Sequence, residues 1–284
     1  MPVLALKVDV DTYQGMKDGL PRVVQVLEEY GLSGSFFISF GPDRSGLAIL
    51  QMVRPRFLAK MIRTNAPGMY GLKTALYGTL LRAPMIGASF PDAVRSLAED
   101  GHEVACHAWD HRLWQDWLPL MKKKSIDAWM RTMTDAYTDI LGYRPTAFGA
   151  PGWRMDKRAL GIAGTYGFSY LSCSRAQQPF IYVENEMLEI PSNLPCIEEV
   201  GVDGVLHALE KNAMSPIPQV LPVHTEVEGA VYEQAFRRIL EKVFSLGYSI
   251  KTLADIAKHM DPATLPVRRL RQGFIKGRAF KCSI

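Results

Sequence analysis

Two aspartates, three histidines and one Pro-Gly-Trp-Arg string offer the side chains from which a catalytic site could be built. Asp9-Val10-Asp11 closes the first apolar run, and strand side chains two apart share a face, so both carboxylates would meet one site. A lone aspartate there is more often a turn residue or a helix cap; the pair favours use. His107-Ala108-Trp109-Asp110-His111 follows the third apolar run. Histidines at i and i+4 on one helical turn converge on one side, a standard grip for zinc or a similar divalent ion. Alone, that spacing is weak, since packed core histidines produce it as readily. Combined with an acidic strand end, it makes an open site of one carboxylate and two imidazoles, leaving a position for water whose pKa a metal lowers. The second carboxylate then has its own use, taking the proton from that water. His224 ends Leu221-Pro222-Val223-His224, where it could protonate a departing amine, although a buried structural histidine is equally ordinary. In Gly149-Ala150-Pro151-Gly152-Trp153-Arg154, Trp153 is a candidate sugar-stacking wall and Arg154 a candidate to orient a carboxylate; the same string is also a common turn.

Strands and helices alternate around these residues. Apolar runs at 3–8, 35–40, 103–106, 146–148, 168–171, 187–190, 220–223 and 248–251 read as strands. Helical spacing appears over 17–30, 92–99, 125–141, 156–166 and 232–246. That rhythm predicts βα units and a mainly parallel sheet, with enough units for a barrel whose strand ends carry the site. The expected fold is a single distorted (β/α) barrel over residues 1–260, with a long basic-apolar insertion, 41–90, after the second strand, and a peripheral basic tail, 261–284.

Composition narrows the class. The 284 residues are 48% hydrophobic and 22% charged, which supports a large core and argues against wholesale disorder. The four cysteines form no CxxC pair, so reduced thiols in a cytosolic protein are expected. The first residues show no basic stretch followed by an apolar one, so no secretory signal is expected, and no apolar stretch reaches the roughly eighteen residues a spanning helix needs. The net charge of +4 conceals segregation: residues 41–90 carry a net +6 and residues 266–284 another +6, leaving −8 elsewhere. Basic residues mixed with apolar ones suit an anionic membrane surface or a phosphate group. They do not line a groove with interleaved aromatics, so no nucleic-acid partner is expected. A solvated hairpin over the barrel mouth is the plainer account of 41–90, and Lys122-Lys123-Lys124 reads as a solvated helix start.

In order and spacing, Asp9/Asp11, His107-x3-His111, Pro151-Gly152-Trp153-Arg154 and Val223-His224 resemble the polysaccharide deacetylase (NodB-homology) family. Val8-Asp9-Val10-Asp11-Thr12, Gly41-Pro42-Asp43, His107-Ala108-Trp109-Asp110-His111, Gly152-Trp153-Arg154 and His224-Thr225-Glu226-Val227-Glu228-Gly229 resemble, more narrowly, its branch that deformylates 4-deoxy-4-formamido-L-arabinose-phosphoundecaprenol. The resemblance implies a metal-dependent hydrolase with Asp9 as base, Asp11, His107 and His111 as ligands of one divalent ion (zinc, or manganese, cobalt or nickel) and His224 as general acid. It also implies a lipid-linked sugar substrate and a place at the cytoplasmic face of the inner membrane. On that reading Trp153, Arg154, Glu226 and Glu228, with Arg54, Arg56 and Lys60 of the insertion, are the substrate-binding candidates. The chain departs from the branch at Cys173, where an acid is usual, which bears on the tuning of the base and on the substrate. Two rivals are an N-deacetylase of another amino sugar and a catalytically silent, membrane-associated carbohydrate-binding relative.

Overall fold

The computed structural model describes residues 1–51 and 74–284. Its centre is β1 (Val3–Val10), which is flanked on both sides and therefore buried along nearly its whole length rather than alternating. β2 (Ser35–Ile38), β3 (Glu103–Cys106), β4 (Ala147–Phe148) and β5 (Tyr170–Leu171) follow on one side, each parallel to its neighbour. β8 (Gln219–His224) lies parallel on the other side of β1. β6 (Phe180–Tyr182) is antiparallel to β7 (Leu188–Glu189), and β9 (Ser249–Ile250) pairs with the first residues of β1. Helices cover the faces: α1 (Leu20–Glu29), α2 (Pro91–Glu99), α3 (His111–Trp117), α4 (Lys123–Leu141), α5 (Lys157–Ala163), α6 (Ile197–Asn212), α7 (Glu233–Ser245) and α8 (Leu253–Lys258). α1 shows the logic: Leu20, Val23, Val26 and Leu27, at spacings of three, three and one, are the residues it buries.

The expected α/β class and parallel sheet are present. The expected barrel closure is not in the described pairing, which starts at β10 (Val267–Arg268) and runs β10-β6-β7-β5-β4-β3-β2-β1-β8 with two ends. β4, β5 and β7 shrink to two residues each, so that side of the sheet has too short a ladder to carry regular pairing around to β8.

Two peripheral segments matter for the site. The insertion after β2 leaves and returns at one place, where Asp43 N–H donates to Pro84 O at 2.8 Å and Ile86 N–H to Gly41 O at 2.8 Å. The C-terminal tail, expected to be peripheral, instead joins the fold. Its β10 (Val267–Arg268) pairs with β6, and β11 (Gln272–Phe274) and β12 (Lys281–Ser283) form an antiparallel hairpin with Cys282 and Ser283 buried. Apolar Cys282 and hydrogen-bonding Ser283 explain the docking: Arg175 N–H donates to Ser283 O at 2.8 Å and Met155 N–H to Ser283 Oγ at 3.1 Å. All four cysteines are free and buried. Among the described residues no helix is long and apolar enough to cross a membrane.

Candidate active site

The parallel register of β1 and β8 sets Asp9 directly beside His224 at the carboxyl ends of the strands. Asp9 is 3% exposed and ion-pairs with the ammonium of Lys7, two residues back on the same strand face. Lys7 is itself fully buried, 4.5 Å over the Phe37 ring. A charge buried so deeply needs its partner, so Lys7 and Asp9 are fixed together.

Asp11, His107 and His111 converge as the sequence suggested, though not on one helical turn. His107 follows β3, the chain turns through Ala108 in a left-handed conformation (φ 66°), and His111 is the first residue of α3. Asp110 dictates that break: it caps α3 by accepting from Leu113 N–H at 2.8 Å. Asp11 Oδ1 stands 3.3 Å from His107 Nε2, and Oδ2 stands 3.1 Å from His111 Nε2. One donor atom from each residue falls within 4.8 Å of the others. Burial alone would raise the Asp11 carboxyl, but His111, then His107, hold it well below the usual range. Burial keeps His107 low and hence neutral, the form that donates a lone pair. Asp11 Oδ1 is buried without a well-directed hydrogen bond. A carboxylate held ionised beside two imidazoles, with an oxygen left over, fits a divalent cation. Asp11 and His111 keep 14% and 15% of their side chains exposed, so the cluster opens to solvent on that side.

His224 is organised by a residue the sequence reading did not single out. Glu198, on the first turn of α6, places Oε1 3.2 Å from His224 Nδ1. Burial would lower this imidazole, but the Glu198 carboxylate outweighs it and lifts it to about 10. Glu228 Oε2 accepts the His224 backbone N–H at 2.7 Å, and burial, with Glu198 adding, pushes its carboxyl to about 8. Burial and then the Asp11 charge push Glu226 well above the carboxylate range; Thr225 Oγ1 donates to it at 3.1 Å. Both acids are thus packed around Asp11 and His224, with little surface to offer a substrate. A Cβ on Gly19 would stand 2.1 Å from Thr225 O, so glycine there lets the loop carrying these residues close against α1.

The remaining candidates divide. Trp153 lies beside His224, ring centres 6.4 Å apart and perpendicular, but it is 2% exposed. Its indole N–H donates to Ser192 Oγ at 3.0 Å, and the Arg175 and Arg278 guanidinium carbons lie 4.6 and 4.2 Å from its ring. Trp153 is therefore a packed wall behind His224, not an open stacking face. Arg154 donates to Gln115 O at 2.5 Å, bracing α3, and does not point a free guanidinium at the site. Arg54, Arg56 and Lys60 lie outside the described residues. Cys173 is buried, and its N–H donates at 2.8 Å to Glu189 Oε1, so a neighbouring strand brings a carboxylate to the place where the sequence lacks one. Burial lifts Glu189 to about 7.

Comparison with known proteins places this geometry. Over 264 residues, covering 91% of this chain and 87% of the other, the chain is 29% identical to a Shewanella sediminis protein named as a probable 4-deoxy-4-formamido-L-arabinose-phosphoundecaprenol deformylase. A Mycobacterium smegmatis structure named as a polysaccharide deacetylase superposes with a TM-score of 0.69 at 18% identity, covering 96% of this chain and 94% of that one. The structure of Puue allantoinase superposes at 0.65 and 14% identity, covering 92% and 91%. Such likenesses show the fold alone. The polysaccharide deacetylase model matches residues 2–171, more than half of the sequence, and the chain therefore belongs to that family of metal-dependent hydrolases acting on acylated sugars.

Proposed function

We propose that the chain removes a formyl group from the 4-amino nitrogen of a 4-deoxy-4-formamido-arabinose carried on undecaprenyl phosphate. The observation that carries the hydrolytic part is the pairing of Asp9 with His224 across β1 and β8, beside the Asp11-His107-His111 cluster. A base and an acid then stand side by side at the strand ends, next to one candidate cation site. The choice of formyl group and lipid-linked sugar is supported by the name of the Shewanella sediminis relative.

A divalent cation held by Asp11, His107 and His111 would supply Lewis acidity to the acyl carbonyl and the attacking water. Asp9 accepts the proton of that water, and its ion pair with the Lys7 ammonium holds the carboxylate in place. His224, protonated and held by Glu198, donates to the departing nitrogen, because an amide anion is too poor a leaving group to go alone. The products are formate and a free amine. A substrate carried on a polyprenyl phosphate would put the protein at the inner-leaflet surface, where the basic residues of 41–90 would meet phosphates.

Formate release from a synthetic formamido-arabinose phosphoryl-polyprenol, by metal-loaded protein beside Asp9→Asn, tests the reading. Metal-dependent release that the variant loses is expected. If neither protein releases formate while the cation is bound, the substrate assignment is wrong. Acetylated amino sugars would then be tried, followed by a search for non-catalytic sugar binding.

A further inference from the structure

The C-terminal hairpin reaches the back of the catalytic acid. Gln272 Nε2 donates to Met155 O at 2.6 Å and to Ser283 Oγ at 3.1 Å, fastening β11 and β12 to the segment that carries Trp153. At the hairpin tip Gly277 has φ 88°, and a Cβ there would stand 2.8 Å from Glu199 Cα and O. The tip therefore lies directly on the first turn of α6. Arg278 then points inward: its Nε donates to Glu199 Oε1 at 2.5 Å, its NH2 to Cys196 Sγ at 3.3 Å, and its guanidinium lies 4.2 Å over the Trp153 ring. Glu199 is also bonded by Arg175 NH1 at 2.6 Å and closes a capping box at Cys196. The next residue back, Glu198, is the one that holds His224.

We infer that Arg278 is a positioning residue for the catalytic acid: it clamps Glu199 and Trp153, the two groups that fix Glu198 and the His224 ring. The geometry gives a second guanidinium, beside that of Arg175, a use. Two carboxylates in sequence, Glu198 and Glu199, are both buried at the start of α6. Arg175 and Arg278 together engage Glu199, leaving Glu198 to face the imidazole. Arg278 touches none of the reacting atoms and acts through its neighbours. The inference rests on His224 being the proton donor, as proposed above.

The test separates a leaving group that needs a proton from one that does not. Full-length metal-loaded wild type, Arg278→Gln, Arg278→Lys and His224→Asn are compared on the formamide substrate and on p-nitrophenyl formate, whose phenolate leaves unaided. Arg278→Gln is expected to lose about ten- to hundredfold in kcat on the formamide, with KM and ester turnover held within about threefold. Arg278→Lys should fall between, since an ammonium keeps the charge but cannot both bond Glu199 and lie flat on the indole. His224→Asn should show the same split. If His224→Asn splits the two substrates and Arg278→Gln lowers both equally, or neither, the clamp is refuted. If His224→Asn shows no split, it is the proton-donor reading that fails. Should Arg278→Gln not fold, the amide-to-ester ratio of Arg278→Lys decides: a fall of about threefold or more supports the clamp, and an unchanged ratio overturns it.

Discussion

Replacing Glu198 by glutamine should turn a pH-tolerant enzyme into one that fails in mild alkali. The carboxylate 3.2 Å from His224 Nδ1 is the largest influence lifting that imidazole, to about 10 from an ordinary 6.5, against the downward pull of burial. At pH 8 a group titrating at about 10 is about 99% protonated, whereas one returned to about 6.5 is about 3% protonated, so turnover should fall about thirtyfold. At pH 6 the same arithmetic leaves about three-quarters protonated, and the loss should be under about twofold. The assay is kcat/KM on the formamide from pH 5.5 to 10 with metal-loaded protein. Stability should follow an opposite pattern. A histidine whose folded value is raised contributes stability fully below about 6.5 and loses it as pH climbs toward about 10. The wild type should therefore exceed Glu198→Gln in Tm most at pH 6, with the gap closing toward pH 10. An equal loss of activity at pH 6 and pH 8, or an unmoved alkaline limb, would refute the assignment of Glu198 as the group that keeps His224 charged.

Other outcomes follow from the same geometry. Lys7→Met strands the Asp9 carboxylate in a buried position and should lower stability by roughly 3–5 kcal/mol, read by urea unfolding; a neutral result would mean the pair carries no weight. Asp11→Asn or His107→Ala should reduce bound divalent metal from about one equivalent to nearly none after dialysis, measured by mass spectrometry of the element. Glu189→Gln should gain stability relative to wild type as pH rises from 5 to 8. Burial lifts Glu189 to about 7, so its contribution is complete below 4.5 and lost as pH passes 7. The swing is roughly 3 kcal/mol at most, and a Tm difference that stays flat across that range would contradict it. Gly19→Ala should melt several degrees lower and weaken catalysis, because its Cβ would meet Thr225 O at 2.1 Å and push the 224–229 loop outward; circular dichroism melts decide it.

Periodicity was enough to locate β1, β3, β8 and the helices α1, α4 and α7, since each is long and cleanly one-sided. Spacing was likewise enough to bring forward Asp9, Asp11, His107, His111 and His224, because strand-end positions in a parallel sheet converge whatever the loops do. α6 was not legible. It is kinked at Gly201 (φ 75°), buries Ile197, Glu198 and Glu199 at its start and Val205 and Leu209 later, and so shows no single apolar stripe. Missing the helix meant missing Glu198, the partner of His224. Lys7 was hidden for a different reason: inside a buried strand a lysine looks like an error of pattern until its counter-charge is seen two residues away. Cys173 read as a missing acid because sequence distance says nothing of sheet neighbours, and β7 brings Glu189 to it. Trp153 and Arg154 were legible as residues near the site, but their exposure was not. Residue type and period 2 are local properties, so the chain alone names the groups fit for acid-base and metal chemistry and predicts that strand ends gather them. Which carboxylate stands beside which histidine, and that the tail folds back on Trp153 and Glu199, emerges from the folded contacts. Those pairings depend on burial and on contacts between residues far apart in the chain, which no local pattern encodes.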